Sequence, residues 1–402
     1  MIRAFAINLS ATLLGTVLST LATFAIIRTL TPEDWGVSAS ALGIGQLAGA
    51  SLSFGTQIER VRRYSQLPSL DRAVEATLDS QARLAIALVV AAAGFVAMTA
   101  FPFAGSIVLT AAGVYASLGA ANFFIAARRF FAAGAVVLAE KGLLFSLVGL
   151  TVLLGTPAPT TLPIAQGIAG LSIAMAVGLI TRVHGSRLGF AGHASRLILQ
   201  YKSGLFIGIA SLAPSFLLLD ATIVIALAGP TAAGTFALAA RLVSPLTVAT
   251  SALVTVLMPF LVDHTEGRYR GNPRFLAGAS AVYFAVLAGL AISAPMWVTI
   301  VFGSRYEGAV LPVQLYIGNA FVVFFTRVLV TLGQAAGDDK AISWLVSAQV
   351  VMALIGVAVG AQLGGSSGAA FGVVTTNTIL GVVLALRTKA RRNLRSTVSS
   401  AQ

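Results

Sequence analysis

The sequence lacks cysteine and has little histidine and little charge. Without cysteine, the chain can form neither a disulfide nor a thiolate metal site. Its three histidines are too scattered to indicate a metal site: His184, His193 and His264. Charged residues make up 10% of the chain, compared with about 25% in soluble domains. A protein with so little polar surface is predicted to be an integral membrane protein rather than a soluble one.

The sequence also lacks signs of catalysis. It contains no GxxxxGK[ST] phosphate loop, so ATP hydrolysis is not encoded. No nucleophile–base arrangement is visible, and no predicted extramembrane segment is large enough to form an enzyme domain. We therefore expect a protein that is not an enzyme and that uses no cofactor.

The sequence is rich in long apolar stretches. Hydrophobic residues make up 57% of the chain, and its mean hydropathy is +0.92. A helix needs about 20 apolar residues to cross a bilayer, and only helices or closed barrels satisfy their backbone in lipid. The sequence predicts an all-α integral membrane protein with about twelve spans, near 8–28, 36–57, 82–101, 105–126, 134–155, 162–182, 204–227, 233–261, 275–301, 309–332, 341–362 and 367–386.

The positive charges indicate the orientation. Most of the 26 Lys and Arg residues, which give a net charge of +13, fall in segments on one side of the predicted spans. Cytoplasmic loops carry such an excess of Lys and Arg. We expect a bacterial inner-membrane protein with both termini in the cytoplasm.

The two halves resemble each other. The break LTPEDWG resembles GPTAAG, and Pro32 and Gly36 each precede their counterparts, Pro230 and Gly234, by the same number of residues. This predicts a parallel pseudo-repeat of two six-helix bundles around a central cavity. The predicted domains are a first bundle at 1–183, a basic cytoplasmic connector at 184–203, a second bundle at 204–386 and a basic cytoplasmic tail at 387–402.

The second and eighth predicted spans are unusually polar. Small and hydroxyl residues there have an ordinary explanation, because they let membrane helices pack closely. Packing does not explain Gln46, Gln57 or Arg241. Polar and charged side chains at membrane depth usually face water or a partner, so these residues favour a hydrated cavity between helices.

Three stretches resemble a known family: RTLTPEDWGVSASAL at 28–42, LAGPTAAGTFALAARL at 227–242 and IVFGSRYEGAVLPVQLY at 300–316. They are similar to polysaccharide transporters, the O-antigen and exopolysaccharide flippases of the multidrug/oligosaccharidyl-lipid/polysaccharide exporter superfamily. The resemblance covers essentially the whole chain.

The resemblance implies two bundles that rock between inward-open and outward-open states. It also implies an undecaprenyl-pyrophosphate-linked oligosaccharide as cargo, moved across the inner membrane, with membrane lipids, a glycan polymerase and glycosyltransferases as partners and no nucleic acid. The alternatives are a cation-coupled multidrug exporter of the same fold, a non-transporting scaffold of a glycan-assembly complex, and a membrane-embedded glycosyltransferase or ligase.

Arg241 is the first candidate for binding an anionic head group, because a guanidinium stays charged and pairs with phosphate or carboxylate oxygens. Its alternative role is to pair with Asp220. Asp220 follows Pro214, which is expected to kink the helix. Asp220 is therefore interpreted as a proton or sodium coupling site, as the partner of Arg241, or as a water-facing acid.

Four further residues complete the predicted cavity site. Arg327 either faces the cavity or extends to the inner interface, and Arg28 either contributes to the cavity or anchors the outer end of its helix. Gln46 lies inside the second span, whereas Gln57 ends it and is either part of an entry gate or a solvated helix end.

Overall fold

A computed structural model describes residues 2–53, 69–126, 129–182, 212–261, 273–335 and 339–400. These residues are almost entirely helical, with no β-strand among them. The α-helices of the described chain are α1 (Ile2–Thr29), α2 (Pro32–Ser53), α3 (Ser69–Ala100), α4 (Pro102–Ala126), α5 (Phe130–Leu153), α6 (Thr161–Arg182), α7 (Asp220–Ala228), α8 (Pro230–Leu261), α9 (Pro273–Phe302), α10 (Val310–Ala335) and α11 (Asp339–Ser400). Two 3-10 helices span Ala213–Leu219 and Ser304–Ala309.

The helices form two compact units. The first comprises Met1–Thr222 and the second Ile223–Gln402. Residues 212–222 of the seventh predicted span therefore belong to the first unit, and the division falls inside α7. The predicted connector at 184–203 lies outside the described residues, so the domain boundaries stay a prediction.

In the first unit, α4 is the central helix and packs against α2, α3, α5 and α6. Its core positions are apolar or small, and they include the buried Leu109, Ala112 and Ala116. Small residues let the neighbouring helices approach closely, which is how helices associate when lipid supplies no hydrophobic driving force. α1 packs mainly on α5.

The start of α2 has a local chemical cause. The Thr31 hydroxyl accepts a 3.1 Å hydrogen bond from the N–H of Asp34 and donates a 2.8 Å bond to the Asp34 carboxylate. Thr31 thus caps the helix, and Pro32 occupies the first helical position, where no N–H is needed. The break predicted at LTPEDWG is present, between Thr29 and Pro32.

In the second unit, α10 packs against α8, α9 and α11. The break predicted at 227–234 lies at Gly229, whose φ of 86° is a left-handed conformation that glycine adopts without strain. Pro230 then begins α8. The core of this unit includes Val224, Phe236 and Val357.

The last two predicted spans are the two arms of α11. The arms meet at a kink at Gly364 and Gly365, where the backbone is not helical. The two arms of α11 therefore match the predicted spans 341–362 and 367–386. The helix continues to Ser400, so the predicted basic tail is helical over most of its length.

Eight helical segments of the described chain are long and apolar enough to cross a membrane. One of them, Ala341–Lys389, includes both arms of α11. Large apolar side chains are widely exposed, and Leu153 is 86% exposed and Ile292 79% exposed. Apolar surface of this kind is expected where helices face lipid.

Two basic residues, Arg83 and Lys141, lie within long helices of the first unit. α3 begins at Ser69 rather than near 82, and its Arg83 is only 2% exposed. Lys141 is in the middle of α5, and its side chain is 25% exposed. Arg83 is therefore a buried charge, whereas Lys141 is only partly buried.

Candidate functional site

Asp220 stands where the seventh span changes its helical form. The 3-10 helix Ala213–Leu219, with Pro214 near its start, gives way to α7 at Asp220. The Asp220 carboxylate accepts a 2.6 Å hydrogen bond from the N–H of Ala221, so it satisfies one donor at the new helix start. The irregularity that Pro214 predicted is thus present as a 3-10 segment.

Arg241 and Asp220 are both half-buried, and each has an interaction partner. Arg241 lies about three turns into α8 and belongs to the second unit, whereas Asp220 belongs to the first. The pairing of these two residues and their predicted roles stay predictions.

Arg327 and Arg28 are both exposed side chains. Arg327 is on α10, about one turn before the end of the candidate span Ser304–Thr331. Arg28 lies in the last turn of α1, and it has an interaction partner. This position at the end of a helix is the one expected for an interface anchor. The predicted cavity roles of Arg28 and Arg327 stay predictions.

The polar second span packs on the seventh. The Ser40 hydroxyl donates a 2.9 Å hydrogen bond to the Thr222 hydroxyl. Gly43 lies so close to the main-chain oxygen of Leu218 that a side chain at 43 would overlap it. Gln46 is one turn further along α2 and is half-buried, while Gln57 lies outside the described residues. Close packing therefore accounts for Ser40, and a cavity role for Gln46 stays a prediction.

A buried ion pair lies inside the first unit, on α3. Arg83 Nε is 3.4 Å from the Asp79 carboxylate, one helical turn away, and the side chains are 2% and 6% exposed. The guanidinium carbon lies 5.6 Å from the centre of the Tyr115 ring on α4. The aromatic ring and the carboxylate together compensate a charge that would otherwise be costly in this interior.

A second charged cluster joins α5 to α6. Glu140 is 7% exposed, and its Oε1 accepts hydrogen bonds from Lys141 Nζ at 2.8 Å and from Gln166 Nε2 at 2.7 Å. Sequence reasoning did not identify Glu140 or Gln166. The adjacent acid and base in the apolar run VVLAEKGLLF were the available signal.

The second unit contains a chain of carboxamides. Gln349 on the first arm of α11 donates a 2.8 Å bond to Asn377 on the second arm, and Asn377 donates a 2.9 Å bond to Asn319 on α10. Interhelical hydrogen bonds of this kind contribute about 0.6–2 kcal/mol in membrane proteins. They hold both arms of α11 against α10.

Among the described residues, the balance of acidic and basic side chains inside the helices differs between the two units. In the first unit, Arg83 is compensated by Asp79 and Lys141 by Glu140. In the second unit, α8, α9 and α10 contain no Asp or Glu, whereas α8 holds Arg241 and α10 holds Arg327. These three helices therefore have an excess of positive charge.

No protein-family model matches the chain, and no curated protein sequence matches it. Several solved structures match the chain. An inward-facing multidrug resistance MATE family transporter of the MOP superfamily matches with a TM-score of 0.65 and 17% identity, over 96% of each chain. The lipid II flippase MurJ, in an inward closed conformation, matches with a TM-score of 0.67 and 11% identity, over 97% of this chain and 88% of MurJ. A MATE crystal structure in complex with MaL6 matches with a TM-score of 0.53 and 14% identity, over 98% and 97% of the two chains.

The chain has the fold of MOP-superfamily transporters. The predicted fold class, an all-helical membrane protein with about twelve spans, is confirmed. These structural neighbours are transporters and a flippase, which agrees with the prediction that the chain is not an enzyme. At these identities the likeness shows the fold alone, and the cargo must be argued from the chain itself.

Proposed function

We propose that the protein is a flippase that moves a polyprenyl-pyrophosphate-linked oligosaccharide, such as an exopolysaccharide or O-antigen repeat unit, across the inner membrane by alternating access. The observation that carries the proposal is the excess positive charge in three helices of the second unit. Its helices α8, α9 and α10 contain Arg241 and Arg327 but no carboxylate. A pyrophosphate head group needs cations along its path, and arginine binds phosphate oxygens with two parallel hydrogen bonds.

The fold supports a lipid-linked cargo, because the flippase MurJ has the same fold over nearly the whole chain. The physical task is to take a charged, sugar-bearing head group through about 30 Å of hydrocarbon while its lipid tail stays in the bilayer. Arg241 is the proposed head-group ligand. Arg327, Arg28, Gln46 and Gln57 are the proposed further residues of the polar path. Glycan polymerase and glycosyltransferases are the proposed partners.

The test compares surface glycan in cells that depend on this protein. Arg241→Ala should reduce glycan export about tenfold or more, since hydrogen bonds to charged groups contribute about 1.5–3 kcal/mol. Arg241→Lys should be intermediate, because lysine keeps the charge but not the bidentate geometry. Arg305→Ala is the control for loss of an arginine elsewhere: Arg305 is exposed, whereas Arg241 is half-buried, and it stands near the start of a 3-10 helix with its guanidinium carbon 6.0 Å from the centre of the Tyr306 ring. Wild-type export by Arg241→Ala, at equal membrane levels, would contradict the proposal.

The second candidate function is a cation-coupled multidrug exporter, which the MATE neighbours favour. Exporters of cationic drugs need acids in the cavity wall, and the second unit's long helices α8, α9 and α10 have none. Drug accumulation in cells with and without the protein separates the candidates. An exporter would lower accumulation of cationic dyes, whereas the proposed flippase would leave it unchanged.

The proposed orientation has both termini in the cytoplasm. Because the chain has no cysteine, single cysteines can be introduced without background labelling. Ser304→Cys should react with a membrane-impermeant maleimide in whole cells, and Ser399→Cys should react only after permeabilisation. The reverse labelling pattern would show that the termini face outward, which would contradict the proposed orientation and hence the proposed direction of transport.

A further inference from the structure

The carboxamide chain of the second unit is bonded in the middle and open at both ends. Gln349 Nε2 donates to Asn377 Oδ1 at 2.8 Å, and Asn377 Nδ2 donates to Asn319 Oδ1 at 2.9 Å. Among the residues that the structure describes, no group donates to Gln349 Oε1 and none accepts from Asn319 Nδ2. The chain therefore offers a free carbonyl oxygen at one end and a free amide group, with two N–H donors, at the other.

The chain lies deep in the membrane-spanning part of its helices. Each of its three residues is about 12 Å or more along the helix from the nearer end of its apolar run. Hydrocarbon supplies no hydrogen-bond partner, so an open amide is costly there. Asn377 also lies on the far side of its helix from Phe371, Val382 and Leu386, the exposed apolar side chains expected to face lipid. The open ends therefore need a polar occupant rather than acyl chains.

We propose that Asn319, Asn377 and Gln349 form a subsite for the neutral sugar part of the cargo. A sugar hydroxyl both donates and accepts hydrogen bonds. Hydroxyl groups of an oligosaccharide can thus donate to Gln349 Oε1 and accept from Asn319 Nδ2, the two functions that the chain leaves open. The inference deepens the proposed function and rests on it for its role in transport: arginines bind the pyrophosphate, and the carboxamides bind the sugar.

The chemistry of the chain suits a neutral ligand better than an ion. Hard cations need several oxygen ligands, and the side-chain oxygens of Asn377 and Asn319 already accept N–H groups. Beyond Asp339, the first residue of α11, the two helices that hold the chain contain no Asp or Glu. A phosphate or carboxylate would in turn be bound more strongly by a guanidinium than by an amide.

Arg327 lies on the same helix as one end of the chain. It follows Asn319 by eight residues on α10, which is about 12 Å along the axis and about a quarter-turn around it. In the proposed orientation, Arg327 is on the cytoplasmic side of Asn319. A cargo whose pyrophosphate lies at the level of Arg327 can therefore extend its sugar towards the carboxamide chain.

Binding to the purified full-length protein in detergent tests the subsite apart from transport. The two probes are inorganic pyrophosphate and the neutral oligosaccharides that mild acid releases from the surface glycan of the producing cells. Stabilisation of the protein against heat at increasing probe concentration gives each apparent affinity. Asn319→Leu and Gln349→Leu should each bind the oligosaccharides about tenfold more weakly, the effect of about two lost hydrogen bonds. Both should bind pyrophosphate as the wild type does.

Gln314→Leu is the matched control. It also removes an interhelical hydrogen bond of α10, the one to the Ala291 main-chain oxygen, but it lies outside the chain. Its oligosaccharide affinity should equal that of the wild type. An equal loss in Gln314→Leu would mean that the helices had merely loosened, and it would overturn the subsite. Wild-type affinity in folded Asn319→Leu or Gln349→Leu would overturn it as well, and so would a wild type that no oligosaccharide stabilises.

The two probes also separate this inference from the proposed function. Arg241→Ala should weaken pyrophosphate binding and leave oligosaccharide binding unchanged, the reverse of the carboxamide variants. A wild type that binds the oligosaccharides through the chain but binds no pyrophosphate would support the subsite and contradict the proposed head-group ligand. Binding of pyrophosphate without any oligosaccharide would support the head-group ligand and overturn the subsite.

Discussion

The side-chain nitrogen of Gln314 donates a 3.0 Å hydrogen bond to the main-chain oxygen of Ala291. Pro295 stands one turn after Ala291 inside α9 and has no N–H, so the helix leaves that oxygen without its usual donor. Gln314, on α10, replaces the missing donor. The contact therefore joins two helices at the point where one of them is interrupted.

This relationship predicts a coupled pair of mutations. Gln314→Leu should lower the free energy of unfolding by about 1–3 kcal/mol, the cost of an unsatisfied buried polar group. In a Pro295→Ala background the helix can supply its own N–H, so the same substitution should cost clearly less. Denaturant unfolding in detergent measures the four combinations. Equal losses in both backgrounds would show that Gln314 acts by some route other than the Ala291 oxygen.

Gly43 predicts that α2 tolerates no side chain where it meets the 3-10 helix Ala213–Leu219. The Cβ of Gly43→Ala would overlap the Leu218 main-chain oxygen, so the segment must shift at a cost of about 1–3 kcal/mol. The hydrogen bond from Ser40 to Thr222 should be lost with it.

A disulfide between Ser40→Cys and Thr222→Cys reports that contact, because the chain has no other cysteine. Cross-linking should be efficient alone and poor when Gly43→Ala is added. Gly142→Ala is the control, since no other side chain or distant backbone lies near that position. Undiminished cross-linking in the Gly43→Ala background would contradict the close packing.

The sequence predicted the helical membrane fold well, because apolar runs and basic loops follow directly from the bilayer. It also located the breaks at Thr29–Pro32 and Gly229–Pro230, where proline and glycine act locally. The extent of α3 was not predicted, since the polar stretch from Ser69 was interpreted as a loop. This helix packs against α4 and α6, and such tertiary packing is not visible in a local pattern.

The site was less predictable for the same reason. Glu140 lies next to Lys141, and in the sequence such a pair resembles a solvated loop charge. Only the packing of α6 places Gln166 against it. Arg241 and Asp220 were conspicuous because they stand alone in apolar runs, and whether they meet depends on tertiary structure that periodicity does not encode.

Asp220 can be neutralised without losing its local hydrogen bond. Asp220→Asn retains an oxygen that can accept the Ala221 N–H, so we expect folding to persist. If Asp220 is the coupling site, transport by this variant should lose its dependence on an ion gradient. Flipping in proteoliposomes with and without an imposed gradient measures this dependence. Unchanged gradient dependence in the folded variant would exclude the coupling role.

Arg83 and Asp79 predict a strongly non-additive pair. Asp79→Asn or Arg83→Met alone leaves a buried charge without its partner, which typically costs about 3–5 kcal/mol. The double variant removes both charges, and because apolar replacement of a buried pair is often close to neutral, it should be more stable than either single variant. Unfolding in detergent measures the cycle, and glycan export tests whether the pair has any role besides stability. A double variant no more stable than the worse single variant would mean that the two charges do not compensate each other, and that the Tyr115 ring carries most of the interaction with Arg83.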